Sequence, residues 1–326
     1  MLVACGFSLA VVSWKYVETP FRLRRLAKTK KSIFILSVTG LASVFFAGLL
    51  CYLEQGFPRR FPARAQEIAD AKYDMSFINE VSVSEVQRQT LVTLGATDSP
   101  ASEPILLVWG DSHAMAAMPA FDALLKERGA KGLAITHSAV APVLGWTPSV
   151  AFELGRDTIH LNNAAFEYIK DKRISNVVLV AYWKIYTGPA SSDNRSFEKS
   201  LLYTVRKLVS VKVHPWILMD VPSHSFDVPR VLARSAVWPI DIALFNTEAS
   251  TVDQLDGISA ATVSEIESSG GHILNPKHLF LDPTRRNYIV QSSGTVLYRD
   301  QHHLTSRGAI LMLLPFLRES LSLEKQ

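Results

Sequence analysis

Cysteine is nearly missing from this 326-residue chain: only Cys5 and Cys51 occur, both inside apolar stretches. Neither has metal-ligand spacing, so a thiolate zinc site is excluded. Everything after Cys51 builds its core without a crosslink, for which its size is sufficient. There is no glycine-rich phosphate loop, internal repeat or low-complexity segment. Positive charge is also missing from most of the chain. The total is +4, but residues 15–31 alone hold seven basic side chains against Glu18, a net of +6 that leaves the remainder at −2. A basic balance confined to one short stretch is not a nucleic-acid-binding face. With 48% hydrophobic and 20% charged residues, the chain is neither wholly disordered, nor collagen-like, nor a polytopic membrane protein with little other mass.

What is present begins with Ser32–Leu53, a stretch with no charged residue at all. As a helix it rises roughly 33 Å, enough to cross a hydrocarbon core of about 30 Å. The basic residues lie just before it, whereas Arg59, Arg60 and Arg64 after it are balanced by Glu54, Glu67 and Asp70. The positive-inside rule therefore reads residues 14–31 as a cytoplasmic basic loop, 32–53 as a transmembrane helix and the remainder as extracytoplasmic. Residues 1–13 are apolar but too short to span and lack a basic n-region, so they read as the end of a membrane helix running outside to inside. A short interfacial helix is the competing reading. Residues 54–103 read as a linker or extension, polar and helical over 63–95 with breaks near Tyr73–Phe77.

From residue 104 onward, apolar runs alternate with helical segments. Strands are expected at Ile105–Trp109, Leu133–Thr136, Asn176–Trp183, Pro215–Val221, His272–Leu274 and Thr295–Tyr298. Helices are expected at His113–Arg128, Asp157–Lys172, Phe197–Val209, across 251–268, and Ser306–Leu321. Such alternation implies an α/β fold with a parallel sheet covered by helices on both faces. Its ligand site lies beyond the carboxyl ends of the strands.

Two motifs carry chemistry. Trp109-Gly110-Asp111-Ser112-His113 puts a serine at a strand-to-helix turn, where its own N–H lies at a helix N-terminus and favours negative charge. The alternative is that Ser112 is merely the N-cap of that helix. Asp300-Gln301-His302-His303-Leu304-Thr305 puts a carboxylate three residues before a histidine, so that Asp300 can orient His303 as a base for a nucleophile. His302 is the rival base, expected to point elsewhere. Thr305 is a natural N-cap for the last helix. Tyr182 and Trp183 are candidate platforms for a sugar face, or core residues.

Together these motifs resemble the SGNH hydrolase superfamily, with Gly110, Asp111 and Ser112 matching its first block and Asp300 and His303 its fifth. The resemblance covers about residues 104–320, so that 104–326 read as an SGNH-like domain. It implies a three-layer α/β/α sandwich with a central parallel sheet and catalytic roles for Ser112, His303 and Asp300. The pattern departs at two oxyanion positions: no glycine follows the second strand, where a backbone N–H near Ser138 or Ala139 is the substitute, and no asparagine follows the third. Tyr16-Val17-Glu18-Thr19-Pro20-Phe21-Arg22, between two membrane segments, further resembles the end of the acyltransferase-3 membrane domain, some members of which carry an SGNH domain. That resemblance implies O-acetylation of a cell-envelope glycan at the bacterial inner membrane, with the domain in the periplasm. The implied partners are the glycan substrate, an acyltransferase-3 domain upstream in the same chain, and membrane lipid. Acetyl-CoA is the ultimate donor, and this part of the chain binds no cofactor or metal. A glycan acetylesterase and a non-catalytic glycan-presenting domain are the alternatives.

Overall fold

The computed structural model describes residues 2–23, 28–96, 103–147, 157–187, 194–238, 240, 245, 247–249, 257–284 and 286–323. Two compact units are present, Met1–Phe61 and Pro62–Gln326. In the first, the helix Leu2–Ser13 runs on through a π turn at Trp14–Glu18 and a helical turn at Thr19–Arg22. The stretch read as a loop is thus helical as far as Arg22. Pro20 accounts for the wide turn. Its ring would clash with a carbonyl four residues back, and the looser i→i+5 turn makes room. Both the N–H and the hydroxyl of Thr19 close onto the Trp14 carbonyl. The helix Lys30–Leu53 begins two residues earlier than expected, at a capping box between Thr29 and Ser32. Among the described residues, it alone is long and apolar enough to cross a membrane.

The second unit is built on a six-stranded sheet: β1 Val92–Gly95, β2 Leu106–Gly110, β3 Lys131–Thr136, β4 Asn176–Val180, β5 His214–Leu218 and β6 His272–Leu274. The order is β1-β3-β2-β4-β5-β6, with β1 antiparallel at the edge and the other five parallel. The expected parallel sheet is therefore mixed. The expected linker 54–103 is corrected as well. From Pro62 onward it belongs to the same unit as 104–326, and it supplies a helix at Ala63–Asp70, a helix at Val83–Arg88 and β1 itself. The strand reading at 295–298 is corrected too: Thr295–Val296 pairs only with Gln291–Ser292 in a separate hairpin. The β4 strand stops at Val180, and Trp183 opens a short helix, Trp183–Thr187.

Along β2, alternate side chains enter opposite cores. Leu106 and Val108 pack with the helices Ser112–Glu127 and Ser306–Ser320, whereas Leu107 and Trp109 pack with the helices over 157–171 and 194–210. This is the three-layer sandwich, since the side-chain period of a strand is two. The helices Ser112–Glu127 and Ser306–Ser320 pack on each other, and their N-termini hold the two motifs. The chain leaves β2 for β3 on one side and returns to β4 on the other, so the carboxyl end of β2 is a topological switch point.

Gly110 closes β2 there. A Cβ at this position would overlap the Val180 carbonyl and crowd the Ala114 methyl. Gly110→Ala is therefore expected to force β2 from β4 and to cost about 3 kcal/mol, read as a lower denaturant midpoint in urea unfolding.

Candidate active site

Asp111 follows Gly110 and is 2% exposed. It caps the helix Ser112–Glu127 by accepting from the His113 N–H at 2.8 Å. Its second oxygen accepts from the Tyr182 N–H and the Tyr186 hydroxyl, each at 2.9 Å. Burial pushes its pKa up to about 6 against these hydrogen bonds. Because Asp111 is the cap, Ser112 is not. It is the first helical residue, whose N–H has no intrahelical acceptor.

Ser112 Oγ lies 2.8 Å from His303 Nε2, and His303 Nδ1 lies 2.6 Å from Asp300 Oδ2. Asp300 Oδ1 also accepts from the N–H groups of His302 and His303, both at 2.8 Å. Burial raises the Asp300 pKa, but the His303 hydrogen bond and charge, with the two backbone N–H groups, outweigh it and hold the carboxyl well below its ordinary value. The structure thus brings together the three residues singled out as nucleophile, base and orienting acid.

The loop that carries Asp300 and His303 is tied down at both ends. Thr305 caps the last helix through the Gly308 N–H and donates to the Val296 carbonyl. Asp74 accepts from the Ser306 N–H at 2.6 Å and the Ser306 hydroxyl at 2.7 Å, while its own carbonyl accepts from Arg299 Nη1 at 3.0 Å. A segment expected to be linker therefore holds the loop.

The oxyanion positions are less regular. Ala139 has φ +59°, in the left-handed region that favours glycine. It lies in the loop after β3, where the sequence departs from the SGNH pattern and a substitute backbone N–H is expected near Ser138 or Ala139. The loop around it is set against the serine turn by a hydrogen bond from the His137 N–H to the Gly110 carbonyl. Asn162 fixes the next residues, donating to the Ala141 and Val143 carbonyls and accepting from Trp109 Nε1.

The structure resolves the readings left open for the neighbouring residues. Trp183 is 0% exposed and donates to the Leu218 carbonyl, so it is a core residue and not a sugar platform. The Tyr182 ring stacks on the imidazoles of His113 and His302 at 4.4 and 4.6 Å. His302 does point elsewhere than Ser112, but to a protein partner and not to solvent. Its Nδ1 lies 2.9 Å from His113 Nε2. Sequence reasoning missed His113 as a site residue, although it adjoins Ser112. It also missed Asp220, which lies just past β5 and accepts from the Trp183 and Lys184 N–H groups.

Burial raises the Asp220 pKa to about 7 against those N–H groups. A raised carboxyl binds its proton more tightly folded than unfolded. Its contribution is complete below its ordinary value of 3.8 and is lost as pH rises through about 7. The domain is expected to lose about a few kcal/mol from this group between pH 4 and 8. Asp220→Asn should flatten that part of the slope, as measured by urea unfolding across the range.

A family model described as "SGNH domain (fused to AT3 domains)" matches residues 81–317. No curated protein sequence matches the chain. Among solved structures, the periplasmic domain of a lipopolysaccharide acetyltransferase from Salmonella ser. Paratyphi A is similar, at TM-score 0.53 and 15% identity, covering 76% of this chain and 90% of that one. A putative acylhydrolase from Bacteroides fragilis gives TM-score 0.42 and 9% identity, covering 73% and 96%. An acetyl-xylooligosaccharide esterase from Geobacillus gives 0.40 and 14%, covering 69% and 98%.

Proposed function

The chain belongs to the family of SGNH domains fused to AT3 domains, and from that premise we propose that it is a serine-dependent O-acetyltransferase acting on a cell-envelope polysaccharide or oligosaccharide. The observation that carries this is the unbroken line from Ser112 Oγ through His303 to Asp300, at 2.8 and 2.6 Å. His303 Nε2 takes the hydroxyl proton as Ser112 Oγ attacks the acetyl carbonyl. The imidazolium that forms is stabilised by the Asp300 carboxylate. The proton then passes to the leaving group. In the second half, a sugar hydroxyl gives its proton to His303 as it attacks the acetyl-serine, and Ser112 Oγ leaves by taking that proton back from His303 Nε2. The N–H of Ser112 at its helix N-terminus, with that of Ala139, faces the developing oxyanion in this reading.

The apolar helix Lys30–Leu53, with its basic approach, anchors the domain in the bacterial inner membrane and places it on the periplasmic side. The acyltransferase-3 domain upstream supplies acetyl groups drawn from acetyl-CoA. With water as acceptor the same site is an acetylesterase.

The test is a trapped intermediate. The full chain in detergent is mixed with an activated acetyl ester, quenched in acid and digested. The peptide containing Ser112 is expected to gain the mass of one acetyl group and to lose it faster when a glycan acceptor is present. Ester turnover with no adduct on that peptide would overturn the reading.

A further inference from the structure

The residues next to the proposed nucleophile and base are themselves bonded. His113 follows Ser112 and His302 precedes His303, and their facing nitrogens lie 2.9 Å apart. The two imidazoles are nearly coplanar, 5° apart in tilt with centroids at 5.1 Å, so they meet edge to edge. Tyr182, just past the end of β4, stacks on both at tilts of 4° and 8°. His303 packs against the same two rings at 4.8 and 4.2 Å, tilted by about 45°. The helix carrying Ser112 and the loop carrying His303 are therefore joined twice, once through Ser112–His303 and once through His113–His302.

Three histidines this close invite a metal reading, since one ring nitrogen from each falls within 4.8 Å of the others. The 2.9 Å separation decides against it. Two nitrogens on a tetrahedral zinc sit about 3.3 Å apart, given Zn–N bonds of about 2.0–2.1 Å, whereas 2.9 Å is the ordinary length of a hydrogen bond.

We propose that His113 and His302 form a positioning latch, whose hydrogen bond sets the approach of His303 to Ser112 and which carries no proton in the reaction. The proposal rests on the serine reading above. Two further facts support it. Burial, with the neighbouring histidine charges, drives the His113 pKa well below 6.5 and that of His302 to about 4. Both rings are neutral at neutral pH, so neither adds a like charge beside the imidazolium formed on His303 during acyl transfer. The latch is also rigid. Asp300 Oδ1 holds the His302 N–H, His113 lies in the first turn of its helix, and Tyr182 backs both rings.

The test uses the full chain in detergent and an acetyl ester. His302→Ala is expected to lower kcat about 10–100-fold with KM within about twofold, as displacement of a reacting group by an ångström does. Labelling of Ser112 by a fluorophosphonate, which reports the activated hydroxyl, falls by the same factor. His302→Asn restores most of the loss, because an amide offers a donor or an acceptor near the old Nδ1. His113 is buried, so His113→Gln serves beside His113→Ala, with thermal melting to confirm folding. The double variant His113→Ala/His302→Ala is expected to be no worse than the poorer single variant, the signature of one shared interaction. A folded His302→Ala enzyme with unchanged kcat, or a double variant that loses the product of the single losses, would overturn the latch. Ser112→Ala in the same assay separates the two claims. If it is inactive while His302→Ala is fully active, only the latch falls. If Ser112→Ala is active, the serine reading falls.

Discussion

Ser112→Ala is expected to lower acetyl-ester turnover by at least about 10³-fold while leaving the fold intact. The large effect follows from chemistry. Without Oγ there is no atom for His303 to deprotonate and none to carry the acetyl group. The small structural effect follows from position. Helix capping is done by Asp111, so the Ser112 side chain is not the group that satisfies the helix N-terminus. Its described hydrogen bond is to His303. Removal of one such bond at a partly buried site costs about 1 kcal/mol. Urea unfolding should therefore shift little while the rate collapses. In cells that make the protein, envelope-glycan acetylation should be lost. Acetylation that persists in the Ser112→Ala strain would place the chemistry elsewhere.

Much of this site was legible in the sequence, because each motif is local. Gly110-Asp111-Ser112 marks a strand-to-helix turn with a serine at the helix start, although the cap proved to be Asp111 and not Ser112. Asp300-x-x-His303 likewise spells a hydrogen bond within one loop. The pairing of the two motifs was legible only through the resemblance to the SGNH superfamily, since the alternation of strands and helices does not say which helix lies beside the first one after β2. What stayed hidden was tertiary. β1 is four residues, Val92–Gly95, after a polar stretch, and no period-two pattern fits in so short a run. The role of Asp74 depends on a partner more than two hundred residues away. His302 looked like a solvent-facing neighbour because loop spacing says nothing about His113 across the fold. Trp183 looked like a platform because an aromatic at a strand end is ambiguous until burial is known. The signal that could have found the latch was the histidine beside each reactive residue, in Ser112-His113 and His302-His303.

The second large effect is expected at Asp300. Asp300→Asn should lower kcat by about 10³–10⁴-fold, with KM little changed. Asp300 does two things at once. One oxygen accepts from the His302 and His303 N–H groups, and the other from His303 Nδ1. An asparagine that keeps its carbonyl on the backbone must turn its NH₂ toward Nδ1. The imidazole then accepts there and carries its proton on Nε2, pointing a donor at Ser112 where a base is needed. The opposite flip sets the NH₂ against two backbone donors and loosens the loop. Either arrangement removes general-base catalysis, and the first preserves the fold. The ionisation of Asp300 adds a pH consequence. A carboxyl held below its ordinary value gives stability that is present above 3.8 and lost only as pH falls through its lower folded value. The Asp300–His303 pair should therefore stay intact down to about pH 4, so that any acid fall in activity above that pH arises from groups other than Asp300. Infrared difference spectra of the native chain minus Asp300→Asn check this directly. At about pH 4 as at about pH 8 they should show a carboxylate band and no protonated-carboxyl band. A protonated-carboxyl band that grows in above about pH 4 would show that Asp300 titrates in that range, contrary to the hydrogen bonds that hold it ionised.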